Sequence, residues 1–405
     1  MRATRGLLGL VLVLALGATP GPADEEWELT NGGWVSGRVD YVDTVLREAG
    51  TAVSAKLHAN MLYVTSFKSF SIYDVTQATK PVLLSQTPLG AQLYNEQPDT
   101  NGRILLLAND AKAVEVGINP PSLRSAGSLE VYDVTDKTKP VRLAGLLLSK
   151  REHIWTCVLD CTYAYGARGA IVDLADPANP KLVGDWIRET GAPISTQGVH
   201  TIEEVAPGRV LTGSSMVYYL DVGTDPTKPR ILAQVRPTLT NPGTPSNPTS
   251  LPAHLDWPDA ETGRFIVMSM ETPFGGDCDD TAGGFRTYDT TGWEETERFT
   301  FVDEYVFTDN PGTYTNGRSA HHAWGCSAYA LDAPEHFTAT GQVAVAWFED
   351  GLRLLRVDGA GKISEIGGFL PIGGSSATPI WRNDEVVYVL DLYRGIDILR
   401  VSATD

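Results

Sequence analysis

Short runs rich in Val, Ile, Leu and Tyr recur along the whole chain, separated by polar segments that contain Gly, Asn, Asp and Pro. Examples are residues 62–65, 104–107, 210–212 and 386–389. Runs of this length and composition, bounded by turn residues, predict β-strands rather than helices. The pattern therefore predicts an all-β protein built from many short strands.

A repeated phrase organises these strands: a strand ends in Asp, and a polar turn then leads to Pro. Copies of the phrase end at or near Asp74, Asp133, Asp173, Asp221, Asp289, Asp358 and Asp397. Asp at a strand end bonds the local backbone and starts a turn, while Pro is tolerated where the next strand opens. The copies are spaced about 57 residues apart, which is typical of a four-stranded blade with long loops. The repeat predicts a β-propeller of about seven four-stranded blades.

The ring of a propeller must close, because an open ring exposes a sheet edge. The last repeat ends at Asp405 without an outer strand of its own. We expect an N-terminal strand at residues 34–39 to take that place. An open solenoid of the same units is the alternative architecture.

The N-terminal segment has the pattern of a secretory signal peptide. Arg2 and Arg5 precede an apolar stretch at residues 7–16, which is too short to span a bilayer. Small residues follow, and Gly21-Pro22-Ala23 is a plausible cleavage site. The sequence predicts a signal peptide over residues 1–23, a single propeller domain over residues 24–405, secretion, and no membrane span after cleavage.

Charge and missing motifs narrow the classes of function. The 405-residue chain carries a net charge of −18, which repels nucleic acid and anionic lipid and favours solubility. The sequence contains no nucleophile elbow, no phosphate-binding Gly-rich loop and no dinucleotide fingerprint. We expect a monomer with a protein or cell-envelope ligand and no nucleic-acid partner.

The four cysteines are Cys157, Cys161, Cys278 and Cys326. An even number in an oxidising compartment indicates disulfides, for which three pairings exist. Cys157 and Cys161 can pair only if residues 158–160 form a turn, since a straight strand holds them too far apart. Cys278 would then pair with Cys326. A thiolate metal site is the alternative interpretation.

Three histidines stand at corresponding places in successive repeats. His153, His200 and His254 each precede a strand of the 210–212 type by about nine or ten residues, which places them near the start of an innermost strand. Innermost strands line the channel of a propeller, so these side chains are predicted to converge at its mouth. Converging imidazoles bind a divalent transition metal such as Zn, Cu or Fe. The alternative is that each His only caps its strand by bonding backbone.

Other residues join the candidate metal set. His321, His322 and His336 belong to a later repeat, and Glu96 occupies the corresponding region of its own blade. Nearby acidic residues are turn formers or acid–base groups beside the histidines. They are Asp99, Asp256, Glu271, Glu349 and Asp350.

The phrase resembles the hallmark of the LVIVD-repeat family, and the chain is similar to secreted actinobacterial members over nearly all of its length after residue 23. The resemblance is densest at residues 153–166 and 385–399. It implies a propeller and no particular activity. Tyr329-Ala330 departs from the resemblance, because a His-aromatic pair is expected there.

Two functions follow as hypotheses. The first is a secreted binding or interaction module at the cell envelope or outside the cell. The second is a metal-dependent extracellular enzyme, an oxidoreductase or hydrolase, with a His-lined site at the channel mouth.

Overall fold

The computed structural model describes residues 27–46, 52–89, 95–109, 129–150, 152–194, 198–214, 216–237, 251–258, 260, 263–271, 283–306 and 325–402. The first three strands are β1 (Glu28–Leu29), β2 (Gly33–Gly37) and β3 (Val39–Leu46). Blade 1 contains β4 (Ser54–His58), β5 (Met61–Thr65), β6 (Ser69–Asp74) and β7 (Val82–Pro88). Blade 2 contains β8 (Asp99–Thr100), β9 (Ile104–Leu107), β10 (Leu129–Asp133) and β11 (Val141–Leu146).

Blades 3 to 5 continue in the same order. Blade 3 contains β12 (Trp155–Val158), β13 (Tyr163–Gly166), β14 (Ala170–Asp173) and β15 (Lys181–Asp185), followed by helix α1 (Trp186–Thr190). Blade 4 contains β16 (Thr201–Ala206), β17 (Arg209–Gly213), β18 (Val217–Asp221) and β19 (Arg230–Val235). Blade 5 contains β20 (Leu251–Asp256), β21 (Phe265–Glu271), β22 (Gly284–Asp289), helix α2 (Trp293–Thr296) and β23 (Thr300–Tyr305).

Blades 6 and 7 complete the ring. Blade 6 contains β24 (Leu331–Asp332), helix α3 (Phe337–Thr340), β25 (Gln342–Ala346), β26 (Leu352–Val357) and β27 (Ile363–Pro371). Blade 7 contains β28 (Ser376–Asn383), β29 (Val386–Asp391) and β30 (Gly395–Val401). All strand pairs are antiparallel, and the seven sheets confirm the predicted seven-bladed β-propeller. Among the described residues, no helix is long and apolar enough to cross a membrane.

The ring is closed by an N-terminal strand, as predicted, but the predicted residues are wrong. Strand β3 pairs with β30 and supplies the outer strand of blade 7, from Val39 opposite Val401 onwards. Strand β2 instead pairs with β27 and extends blade 6. Gly37 separates the two strands with a φ of 57°, and a Cβ there would meet the Ile366 carbonyl oxygen at 2.4 Å. The chain turns at this glycine, so the two strands serve different blades.

The Asp of the repeat ends the third strand of each of blades 1 to 5. Its carboxylate accepts the N–H of the residue two positions later, as Asp74 accepts from Thr76 at 2.8 Å. The same bond is made by Asp133, Asp173, Asp221, Asp289 and, just beyond β26, Asp358. These Asx turns explain why the phrase recurs: it ends a strand and reverses the chain.

Apolar side chains pack between neighbouring blades. Tyr165 of blade 3, Trp186 of α1 and Tyr218 of blade 4 share one buried cluster. Leu62 of blade 1 and Tyr388 of blade 7 share another, across the point where the ring closes. Each fully buried side chain of this size contributes roughly 1.5–3 kcal/mol. The packing holds the seven innermost strands around a common channel.

Candidate metal centre

The two ends of the blades differ in chemistry. The innermost strand and the third strand of a blade run in the same direction, because each is antiparallel to the second strand. The Asx turns therefore lie at the end where innermost strands finish. The opposite end, where innermost strands begin, is called the channel mouth here. The predicted histidines lie at this mouth.

Four successive blades each contribute one side chain to the mouth. Glu96 precedes β8, His153 precedes β12, and His200 directly precedes β16. His254 lies within β20, at a register shift between Pro252 and Leu255. The repeat therefore places four potential metal ligands around one point of the ring.

Glu96 is at the centre of this group. Its Oε2 lies 2.6 Å from His153 Nε2. Its Oε1 lies 3.6 Å from His200 Nε2 and 3.5 Å from His254 Nε2. The Glu96 side chain is only 1% exposed, so three imidazoles surround a carboxylate that bulk water hardly reaches.

The ligand atoms of Glu96, His153 and His200 all lie within 4.8 Å of one another, a spacing that could hold a metal ion. His254 faces the same carboxylate. Glu271, at the end of β21, reaches His200 Nε2 at 3.3 Å. Three imidazole nitrogens and one or two carboxylates form a donor set that suits Zn, Fe or Cu rather than Ca or Mg. The alternative, in which each His only caps its strand by bonding backbone, does not account for three Nε2 atoms that face one carboxylate.

An apolar half completes the mouth on the side of blades 6, 7 and 1. It comprises Val53, Phe67, Tyr329, Ala330, Phe348, Ala377 and Leu392, all buried. The Tyr329 ring packs edge-on against His254, with ring centroids 4.9 Å apart, and stacks on Phe348. Tyr329, which departs from the expected His-aromatic pair, thus forms the boundary between the polar and apolar halves.

A ring of charged residues lies deeper in the channel, further along the same innermost strands. Lys56 Nζ lies 3.6 Å from Asp99 and 2.8 Å from Glu203, bridging blade 1 to blades 2 and 4. Burial alone would lower the pKa of Lys56, but these two carboxylates hold it above its ordinary value. The remaining members are Asp256 and Asp332.

The two aspartates of this ring hold protons more tightly than usual. Burial, reinforced by Glu203 and Asp332, raises the pKa of Asp256 well above its ordinary value. Burial raises the pKa of Asp332 to about 7, although the Trp381 N–H donates to its carboxylate. Sequence reasoning missed Lys56, Glu203 and Asp332. The signal that could have found them is their spacing, because each lies three residues after a residue of the channel mouth: Val53, His200 and Tyr329, respectively.

Several predicted residues do not join the metal group. His336 precedes α3, is two-thirds exposed and pairs with Asp384, so its inclusion was wrong. Glu349 and Asp350 are buried in the turn between β25 and β26, at the mouth end of blade 6 where they were expected; among the described residues they are not in the group of Glu96, His153 and His200. His321 and His322 lie outside the described residues, and their assignment stays a prediction.

Cys157 and Cys161 form a disulfide with their Cα atoms 4.3 Å apart. The turn that this pairing required is present, because Leu159, Asp160 and Cys161 all have φ values between 53° and 57°. Cys326 is also disulfide-bonded, while Cys278 lies outside the described residues. No cysteine in the described part of the chain is free, so the thiolate metal alternative was wrong for these three.

No family model and no curated protein matches the chain. Among solved structures, the chain is similar to the β-propeller domain of Cps50 (Swd1) from Myceliophteria thermophila. The similarity covers 89% of this chain and 100% of that chain, with a TM-score of 0.56 and 12% sequence identity. At this identity the similarity supports the fold alone: the chain is a β-propeller.

Proposed function

We propose that this protein is a metal-dependent enzyme with a divalent transition metal at its channel mouth. The observation that carries the proposal is the convergence of Glu96, His153 and His200, whose ligand atoms lie within 4.8 Å of one another. His254 supplies a further nitrogen donor. A bound cation would balance the Glu96 carboxylate and engage the three imidazole nitrogens around it.

Exposure favours a catalytic over a purely structural metal. Structural sites are closed, while catalytic sites keep a position for water or substrate. Glu96 is 1% exposed, but His200 is 23% and Glu271 is 18% exposed. His200 and Glu271 therefore form the side of the site nearest solvent, while the His200 Nε2 atom itself is buried. A metal held there would polarise a bound oxygen or activate a bound water.

The first experiment measures metal content. The protein is purified without chelator, and its transition metals are quantified by plasma mass spectrometry. We expect about one equivalent per chain, lost in His153→Ala and retained in His336→Ala, which removes an exposed imidazole outside the site. Wild-type protein that neither contains a transition metal nor takes one up from Zn²⁺, Mn²⁺ or Co²⁺ would overturn the proposal.

The second experiment tests for an open coordination position. Protein loaded with Mn²⁺ is examined by water-proton relaxation, which increases when a metal-bound water exchanges with solvent. We expect an enhancement that is absent from the Glu96→Gln variant. Tight Mn²⁺ binding without any enhancement would indicate a closed, structural site and would refute the enzymatic part of the proposal.

A second candidate function is an interaction module, which is favoured by apolar residues on the outer strands. Side chains of blades 1 to 3 and the segment after β11 are 41–61% exposed there. They are Val82, Leu83, Val141, Leu147, Leu182 and Val183. Exposed apolar residues on the outer strands of three neighbouring blades are candidates for an interaction surface. A module of this kind would bind a protein or cell-envelope ligand.

We also propose that the protein acts outside the cell and belongs with the LVIVD-repeat proteins. Residues 1–23 have the pattern of a signal peptide, and the Cys157–Cys161 disulfide is typical of an oxidising compartment. Detection of mature protein in the medium, beginning near Asp24, would test the location. Retention inside the cell with residues 1–23 intact would contradict it.

A further inference from the structure

Two buried hydroxyl groups connect the metal site to neighbouring blades. Thr65 ends β5 and is 1% exposed, and Ser269 lies in β21 with no exposure. Both belong to second strands, so neither lies on an innermost strand that lines the channel. Each nevertheless bonds the backbone beside a candidate metal ligand.

Thr65 holds the segment that carries Glu96. Its Oγ1 lies 2.6 Å from the carbonyl oxygen of Asn95, which directly precedes Glu96. The side-chain oxygen of Asn95 in turn accepts the Asn109 N–H at 2.8 Å. The backbone next to Glu96 is therefore held from blade 1 through Thr65 and from its own blade through Asn109. No innermost strand begins at Glu96, so these bonds replace the sheet contacts that would otherwise fix it.

Ser269 acts on the opposite side of the site. Its Oγ accepts the backbone N–H of His254 at 3.1 Å and donates to the carbonyl oxygen of Tyr329. His254 belongs to blade 5, and Tyr329 precedes the innermost strand of blade 6. Because their rings meet edge-on at 4.9 Å, the Ser269 hydroxyl fixes the backbone of both members of that contact. The register shift in β20 leaves the His254 backbone without a regular partner in β21, and Ser269 supplies one.

We propose that Thr65 and Ser269 are positioning residues of the metal site, one setting Glu96 and the other setting His254. This inference rests on the proposed function. Groups that orient metal ligands typically change metal affinity about 10–100-fold when they are removed, although they never touch the metal. A hydroxyl that served only to join two blades would affect folding stability and leave metal affinity unchanged.

Thr287 offers a matched control. It is fully buried in β22 of blade 5, and its Oγ1 donates to the Gly361 carbonyl oxygen of blade 6 at 2.7 Å. It therefore makes the same kind of bond between the same two blades as Ser269. It lies on a third strand, where it pairs with Val267 and Asp303, and it is not one of the converging ligands.

The test uses Co²⁺ as the probe and the full mature chain. Dissociation constants and visible absorption spectra of the Co²⁺-loaded protein are compared for wild type, Thr65→Val, Ser269→Ala and Thr287→Val. Circular dichroism and denaturant unfolding are recorded for each. We expect Thr65→Val and Ser269→Ala to bind Co²⁺ about 10-fold more weakly, with altered spectra that report changed ligand geometry. Thr287→Val should lose comparable stability while keeping the wild-type affinity and spectrum.

The possible results separate the two proposals. If wild-type protein binds no Co²⁺, the proposed function fails and this inference fails with it. If wild type binds Co²⁺ while both Thr65→Val and Ser269→Ala match its affinity and spectrum, only the inference fails. Equal weakening in Thr287→Val would also overturn it, because the effect would then follow from loosened blades in general. If one variant does not fold, the other carries the same comparison.

Discussion

The two halves of the channel mouth share a backbone and differ in side chains. Blades 2 to 5 present Glu96, His153, His200 and His254, which meet around one carboxylate. Blades 6, 7 and 1 present the apolar half, in which Val53 and Ala377 are fully buried. One half resembles a binding site, whereas the other resembles a protein core.

Backbone hydrogen bonds show that the two halves of the mouth use equivalent backbone positions in different blades. In three blades, a residue one or two positions before the innermost strand donates its N–H to the carbonyl of the last residue of the second strand. These bonds run from His200 to Gly213, from Val53 to Thr65 and from Tyr329 to Ala346. The propeller thus offers the same position in different blades, and the side chain placed there decides between ligand and core. Four changes, in decreasing order of expected effect on metal binding, test this contrast.

Glu96→Gln should have the largest effect, because it removes the charge shared by three imidazoles. We expect transition-metal affinity to fall by more than about 100-fold, beyond the range for groups that only orient ligands. Equilibrium dialysis measures it. Glu152→Gln is the control, since Glu152 is equally buried but accepts N–H groups from Arg168 and Ala170 of blade 3. A Glu96→Gln protein that keeps a full equivalent of metal would contradict the proposed difference between the two halves of the channel mouth.

Metal binding should stabilise the ring, because the ligands come from four different blades. At a free metal concentration 100 times the dissociation constant, the free energy of unfolding should rise by about 2.7 kcal/mol. Denaturant unfolding with and without metal measures the change. The gain should vanish in His200→Ala, and an equal gain in that variant would show that the metal binds elsewhere.

Val53→Ala should lower folding stability and leave metal binding unchanged. Val53 is fully buried in the apolar half, so its truncation should cost roughly 1–3 kcal/mol of unfolding free energy through lost packing. Metal stoichiometry should stay at the wild-type value, since Val53 occupies the corresponding position without being a ligand. A loss of metal would indicate that the two halves act as one site.

Asp332→Asn should have the smallest effect on metal binding, and its effect on stability appears only as a pH dependence. Burial raises the pKa of Asp332 from 3.8 to about 7. Between these values the folded protein holds a proton that the unfolded chain has released. The contribution of Asp332 to the free energy of unfolding of the metal-free protein therefore falls as pH rises from about 4 to 7, and levels off above.

The Asn variant should show a shallower decline, measured by denaturant unfolding at several pH values. Part of the slope should remain, because burial also raises the pKa of Glu152 and of Asp397 to about 7. An unchanged slope in Asp332→Asn would mean that this carboxyl ionises normally in the folded protein.

Much of the fold followed from local patterns. The Asp phrase predicted the strands, the blade number and the Asx turns, because strand, turn and Pro preferences are set by neighbouring residues. The closing strand was misplaced because Gly37 divides the N-terminal segment. A strand pattern does not reveal which of two adjacent blades will pair with it. Only the position of β30 beside β3 decided that.

The candidate site was predicted only in part, because the sequence shows which positions of the repeat correspond but not which side chains meet. Repeat spacing placed Glu96, His153, His200 and His254 at corresponding points, although a repeat alone does not give distances. Lys56 and Ser269 were missed because their roles depend on partners far away in sequence, Glu203 for Lys56 and Tyr329 for Ser269. Such contacts exist only after the ring has closed.

The sequence by itself determined the repeating β-blade and the residue types available at each corresponding position, because both are properties of short segments. The tertiary structure decided which of those positions meet. Curvature of the closed ring brings Glu96 to within 2.6–3.6 Å of three imidazoles whose residues lie 57 to 158 positions further along the 405-residue chain. The same curvature packs Val53 against Tyr329 and Ala377, so that equivalent backbone positions become ligands on one side and core on the other.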